Sequence, residues 1–240
     1  MIVLYQYAPA FGLPNASPFC MKVETYLRLA GLEYKTNIIG NPGKAPKKKL
    51  PFIKDNGKVI ADSHMILDYL RAEYGDPLGE GATAQELAGH HALQRMLEEH
   101  TYFCMIWYRW LDPVNVEATR EVFFGFLPPV VKQLVFAMAR RTVRKQTEAQ
   151  GVGRHSPDEI KKLGLDDVQA IAGYLGDKPY FGGDAPREID ATAYAFLANN
   201  ICVPTITPIA DACRSHDNLV AYVRRMNDRV FPELRIQTQA

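Results

Sequence analysis

Over residues 1–76 short β-rich apolar runs alternate with apolar residues at helical spacing, and beyond residue 83 only the helical spacing persists. Ile2 to Tyr7 reads as a strand, Pro18 to Ala30 as a helix stopped by Gly31, and Tyr34 to Ile39 as a second strand, so the chain opens with a β-α-β unit. Gly40 to Lys49 is too rich in Pro, Gly and Lys for a good helix. Leu50 to Lys54 and Lys58 to Ile60 then flank Asp55-Asn56-Gly57, and Asn-Gly between two short apolar runs is the strongest local hairpin signal. A helix from Ser63 to Tyr74 is closed by Gly75, and Asp76-Pro77-Leu78-Gly79 reads as a linker.

After the linker, Ala84 to Leu111 carries one long helical pattern. Val116 to Leu127 and Val130 to Gln150 add two more elements, split by Pro128-Pro129. Ser156-Pro157-Asp158-Glu159 is a capping box with proline at the first helical position, starting a helix that runs to Leu175. Further helices are predicted near Ile189 to Asn200 and Leu219 to Val230. The pattern predicts an α/β domain over residues 1–76 and an all-helical domain over 83–240, with no internal repeat and no low-complexity tract. Val122 to Ala139 is apolar enough to raise a membrane span, but Pro128-Pro129 interrupts it and Lys132 lies inside it. It is expected to pack in a core or line a groove, with no membrane, and Arg140 to Lys145 to form a solvated helix face.

The 240 residues, 47% hydrophobic and 23% charged, fit a soluble globular chain with a substantial core. A formal net charge of +1 argues against a general nucleic-acid binder. Met1-Ile2-Val3-Leu4-Tyr5 shows neither a basic leader nor a small-residue cleavage site, so a cytoplasmic protein is expected. Cys20, Cys104, Cys202 and Cys213 lack metal-ligand spacing and read as free buried thiols, and no metal site is expected.

The chemistry concentrates at Ser17-Pro18-Phe19-Cys20. Ser at an N-cap and Pro at the first helical position open a helix whose free N–H groups and dipole attract an anion. A thiolate is such an anion, and a helix N-terminus lowers a thiol pKa from about 8.5. A Cys-x-x-Cys redox pair would occupy these positions, but its first cysteine is a serine here, so a thiolate at the cap has to arrive with a ligand. An ordinary Ser-Pro helix start gives the same four residues.

With Leu50-Pro51-Phe52-Ile53 opening the third strand and Ala61-Asp62-Ser63-His64 opening the helix after the hairpin, the chain resembles the glutathione transferase superfamily over nearly its whole length. Gln150 to Glu159, and Gly176 to Phe181 leading to Ile189-Asp190-Ala191-Thr192, are similar to its failed-axon-connections (Fax) and metaxin branch in particular. The resemblance implies a thioredoxin-like N-terminal domain, an all-α C-terminal domain and glutathione as co-substrate. Its implied binding residues are Phe19, Leu50, Pro51, Asp62 and Ser63, with a cis bond before Pro51 and Lys49 on the glycyl carboxylate. Lys47 and Lys48 share that loop, and an exposed lysine run is by default only solvated. Ser17 is the first candidate to hold the glutathione sulfur for attack on an unknown hydrophobic electrophile, Tyr7 the second and Cys20 the third. Trp107, Tyr108 and Trp110 are candidates to line the electrophile pocket. Arg187 stands where the family often has a hydroxyl residue, which puts the capping box with Asp190 in question. The resemblance also implies a homodimer. Two other functions stay open: a non-catalytic scaffold of Fax or metaxin type, and a glutathione-dependent thiol reductase using Cys20.

Overall fold

The computed structural model describes residues 1–234. Strands β1 (Ile2–Gln6), β2 (Tyr34–Ile38), β3 (Phe52–Asp55) and β4 (Lys58–Ala61) form one sheet in the order β2-β1-β3-β4, with β1 parallel to β2 and antiparallel to β3. Helix α1 (Pro18–Leu29) makes the crossover from β1 to β2, and α2 (Ser63–Tyr74) follows β4. Ile2 and Leu4 of β1, Ile53 of β3, Val23 and Leu27 of α1 and Ile66, Leu67 and Leu70 of α2 close a core between sheet and helices. Full burial of each such side chain contributes roughly 1.5–3 kcal/mol. Asn56 and Gly57 take φ of 47° and 79°, the paired positive values of a two-residue hairpin turn that the Asn-Gly signal calls for.

The helical part comprises α3 (Ala84–Met96), α4 (Tyr102–Trp110), α5 (Pro113–Phe124), α6 (Pro129–Gln150), α7 (Pro157–Leu175), α8 (Glu188–Ile201), α9 (Pro208–Ser215) and α10 (Asp217–Val230). This is the thioredoxin-like sheet domain plus helical domain that the sequence predicts. Helix α8 is its axis, buried along every residue from Ile189 to Ile201. Asp190 accepts the N–H groups of Phe181 (2.8 Å), Gly182 (2.9 Å) and Arg187 (2.9 Å), which pins the preceding loop to the start of α8. Burial raises the Asp190 pKa, against the lowering effect of these bonds. The Arg187 side chain carries no acceptor, so the capping is one-sided.

Three local features depart from the sequence pattern. The long pattern from Ala84 to Leu111 is interrupted by a π-turn at Leu97–Thr101, where Thr101 Oγ1 bonds the carbonyl of Met96 (3.3 Å) and the carboxylate of Asp167 (2.7 Å). Helix α9 escapes the pattern because it is eight residues long; Thr207 caps it by accepting from Ala210 N at 2.9 Å. The segment from Val122 to Ala139 is not a core pair, since Phe126, Val130, Leu134 and Met138 lie exposed. Only one side of α6 packs inward, where Phe136 meets Trp110 and Phe124.

The two parts share a core. Leu13 and Met21 pack with the residues of α8, and across the same boundary Lys22 Nζ meets Glu98 Oε1 at 2.7 Å with both side chains buried.

Candidate functional site

Strand register gathers the candidate residues at one edge of the sheet. Tyr5 near the end of β1, Phe52 at the start of β3 and Ala61 at the end of β4 are paired in one row. The chain leaves β1 at Tyr7, enters β3 from Leu50-Pro51 and leaves β4 into Asp62-Ser63, all at that edge. The loop from Ala8 to Ala16 returns the chain to the N-terminus of α1, and α2 begins directly after β4, so both helices present their N–H ends there.

At α1, Ser17 is the N-cap in extended conformation, and its Oγ accepts from Cys20 N at 3.5 Å. That length is the long limit of a hydrogen bond, so the hydroxyl is lightly held as a cap. Asn15 is buried and fixes the approach: its Nδ2 donates to Tyr7 O (2.8 Å), its Oδ1 accepts from Ser17 N (2.9 Å), and its carbonyl accepts from Asn199 Nδ2 (3.3 Å). Buried Arg109 adds bonds to Ala16 O (3.1 Å) and Asn199 O (2.7 Å), tying the residue before Ser17 to α4 and α8. Burial pulls the Arg109 guanidinium down to about 10, still charged at neutral pH. Sequence reasoning missed Asn15, although Asn two residues before an N-cap serine is the pattern of an Asx turn. It also missed Arg109, for which no local signal exists.

Phe19 is placed differently from a side-chain contact. Its ring packs edge-on against Tyr102 (4.9 Å) and Phe196 (5.4 Å) in the shared core. Its backbone N–H, in the first turn of α1, takes no hydrogen-bond partner among the described residues, and it is this group that faces the cap.

Cys20 is fully buried, and burial pushes its thiol up to about 12, against the lowering effect of hydrogen bonding to its sulfur from the Ser17 side chain and the Tyr7 backbone. Burial likewise raises the Tyr7 phenol well above its ordinary value, with Cys20 and Tyr102 adding to the shift. Tyr102, another residue the sequence did not single out, is pushed up to about 12 by burial. All three groups are therefore protonated at neutral pH. Iodoacetamide at neutral pH is accordingly expected to leave Cys20 unlabelled in the native protein, as read by peptide mass mapping; labelling at the rate of the unfolded chain would contradict this placement.

At the second helix, Asp62 and not Ser63 is the N-cap. Asp62 takes φ 93° and its Oδ1 accepts from His64 N (3.0 Å) and Met65 N (3.4 Å). Ser63 then sits at the first helical position, buried, and neither its N–H nor its hydroxyl is engaged by another described residue. The bond between Leu50 and Pro51 is cis, and the N–H and C=O of Leu50 enter no turn, loop or cap hydrogen bond among the described residues. Lys47, Lys48 and Lys49 are all exposed in the preceding loop.

Above this edge, Phe11 of the loop meets Phe123 of α5 at 5.7 Å, and Trp110 stacks on Phe123 at 5.1 Å. Tyr108 is buried and donates to Pro157 O at 3.0 Å, and Trp107 packs edge-on against it. Phe11 and Phe123, with Trp110 behind them, thus form the aromatic wall beside the cap, while Tyr108 belongs to the core.

A sheet domain carrying two helix N-termini and a free backbone segment at one edge, roofed by a helical domain, defines the glutathione transferase fold. Residues 18–115 match the glutathione S-transferase N-terminal domain and residues 164–226 the glutathione S-transferase C-terminal domain. The chain is 34% identical to failed axon connections of Drosophila melanogaster over 248 residues, covering 97% of this chain and 59% of that protein. It thus spans less than two thirds of that relative. It is 32% identical to isoprene-epoxide–glutathione S-transferase of Rhodococcus sp. strain AD45, covering 94% of this chain and 98% of the other. Metaxin-1 of Sus scrofa is 30% identical over 95% of this chain and 75% of its own length. Among solved structures, β-etherase LigF from Sphingobium sp. strain SYK-6 superposes with a TM-score of 0.65 at 18% identity, covering 94% of each chain, a likeness of fold. The chain belongs to the glutathione S-transferase superfamily, within the branch that holds failed axon connections and the metaxins.

Proposed function

We propose that this protein binds glutathione and activates its thiol for attack on a small hydrophobic electrophile. The observation that carries the reading is the Ser17 hydroxyl at the N-terminus of α1, lightly held as a cap beside the N–H of Phe19, which has no partner among the described residues. Two donors and a helix dipole at one point favour a thiolate over a thiol. The other handles of the tripeptide find matching groups along the same edge. An extended cysteinyl backbone pairs with Leu50 as an added strand pairs with a sheet edge. The γ-glutamyl carboxylate meets the N–H and hydroxyl of Ser63 at the start of α2, with Asp62 near the amino group. Lys49 supplies a cation for the glycyl carboxylate. The thiolate then attacks the electrophile, forming the S–C bond as the leaving group departs or an epoxide C–O bond opens, and the electrophile lies against Phe11 and Phe123. Likeness to the Rhodococcus enzyme, whose name gives an epoxide and glutathione as its substrates, supports this choice of chemistry. On this reading the protein is cytoplasmic and works as a homodimer.

Titration calorimetry with glutathione tests the reading. Binding is expected at millimolar ligand or below, and Ser63→Ala is expected to weaken it about tenfold, the loss of one hydrogen bond to a charged group. No heat at millimolar glutathione would overturn the enzyme reading and favour the second one, a binding or scaffold protein, which the 34% likeness to failed axon connections supports. The thiol reductase reading has the burial of Cys20 against it.

A further inference from the structure

Helix α6 is amphipathic in an inverted sense. Its inward side carries Phe136, Val143 and Thr147, while Val130, Leu134, Ala137 and Met138 share the outward face with Arg141, Arg144 and Lys145 at helical spacing. Val130 is 72%, Leu134 62% and Met138 70% exposed, and Phe126 in the turn before the helix is 81% exposed. The same face is therefore apolar in its first half and basic in its second. Arg141, Arg144 and Lys145 form no ion pair among the described residues. With Arg140 and Ala137 they line a shallow groove of about 450 Å³ that also includes Glu148. Lys132 bridges to Glu121 at 2.8 Å, bracing α5 against α6 so that Phe126 is held at the corner.

We propose that this face, led by Phe126, docks on an anionic lipid bilayer. No single helix among the described residues is long and apolar enough to cross a membrane, and α5 with α6 reaches that length only as a pair bent by 116°. The helix therefore lies on the surface. Phe126, Val130, Leu134 and Met138 enter the boundary between headgroups and acyl chains, and Arg141, Arg144 and Lys145 rest on the lipid phosphates and carboxylates. Charge selects this occupant over a second copy of the chain. Self-association through the face would bring two sets of unpaired cations into one interface, whereas interface cores are depleted in charge. An anionic surface neutralises the same cations. The face shares no residue with those proposed to hold glutathione, and the proposal stands whether or not glutathione binds.

The test is co-sedimentation of the full chain with phosphatidylcholine vesicles, with and without phosphatidylserine, together with light scattering of the protein alone. Binding is expected only with phosphatidylserine and is expected to fall as salt rises. Arg141→Glu/Lys145→Glu is expected to lower partitioning at least about 20-fold, from about fivefold for each basic residue at the surface. Leu134→Glu/Met138→Glu is expected to abolish it. All four positions are exposed, so thermal melts of the variants should match the parent and separate lost docking from lost folding. Absence of binding to phosphatidylserine vesicles at low salt would overturn the proposal, as would binding indifferent to either double variant. A dimer that Leu134→Glu splits, with no vesicle binding, would assign the face to a second copy instead.

Discussion

In Ser17→Ala, kcat for conjugation of glutathione to an electrophile is expected to fall about 10²- to 10³-fold, while affinity for glutathione changes little. The hydroxyl is weakly used in the ground state, accepting from Cys20 N at 3.5 Å, and in the proposed reaction it is the donor to the developing thiolate. Removing one preorganised donor to an anion in a sheltered site typically costs that much in rate. In the proposed complex the tripeptide is held mainly at Leu50 and Ser63, which the substitution leaves intact. The pH profile separates this from a structural effect. The thiolate is the reactive form, so the rate rises as pH passes the pKa of the bound thiol, and donors to sulfur lower that pKa. The rising limb of the variant is therefore expected at higher pH than that of the parent. Burial pushes Cys20 and Tyr102 up to about 12 and raises Tyr7 as well, so no second inflection is expected between about pH 7 and 10. The lost cap costs about 0.5–1 kcal/mol of stability, too little to account for the rate. Steady-state kinetics on parent and variant check both points; a variant with equal kcat and an unmoved limb would transfer the sulfur contact to Tyr7 or Tyr102.

The largest effect on stability is expected from Glu98→Ala. Lys22 Nζ is wholly buried between the two parts of the molecule and meets Glu98 Oε1 at 2.7 Å. Without that carboxylate an ammonium group stays in the interior unpaired, a loss of about 3–5 kcal/mol. For a chain of this size that lowers Tm by roughly 6–20 °C, read by thermal denaturation. Arg95 and Gln94 also bond Glu98, but Arg95 is partly solvated and can turn to water. The double variant Lys22→Met/Glu98→Leu removes both charges and is expected to recover much of the loss. If it proved no more stable than Glu98→Ala, the pair's packing, not its charge, would be what the interface needs.

The elements that set the site were legible because each has a local cause. Asn56-Gly57 forces its hairpin, Ser17-Pro18 its helix start, and the order of short strands and helices the sheet domain. The supports of the site were not. Arg109 and Asn199 reach the cap from 90 residues apart, and periodicity carries no information about such meetings. Asp62 and Ser63 both suit an N-cap, and the choice fell on Asp62 through a positive φ that composition does not announce. The π-turn at Leu97–Thr101 leaves the apolar spacing of Ala84 to Leu111 nearly unbroken, so that segment reads as one helix. On α6 the difficulty was different: apolar residues lie on both faces, and spacing alone does not tell which face the rest of the molecule covers.

Ser17 and the N-terminus of α1 are proposed to hold glutathione as a thiolate. The most direct test is an ultraviolet difference titration of bound glutathione, following thiolate absorbance against pH in the parent and in Ser17→Ala. In the parent the bound thiol is expected to titrate about one to two pH units below the ordinary value of about 8.5, and in the variant to return towards it. A bound thiol that titrates at its ordinary value in the parent, or at the same lowered value in both proteins, would contradict this role of Ser17.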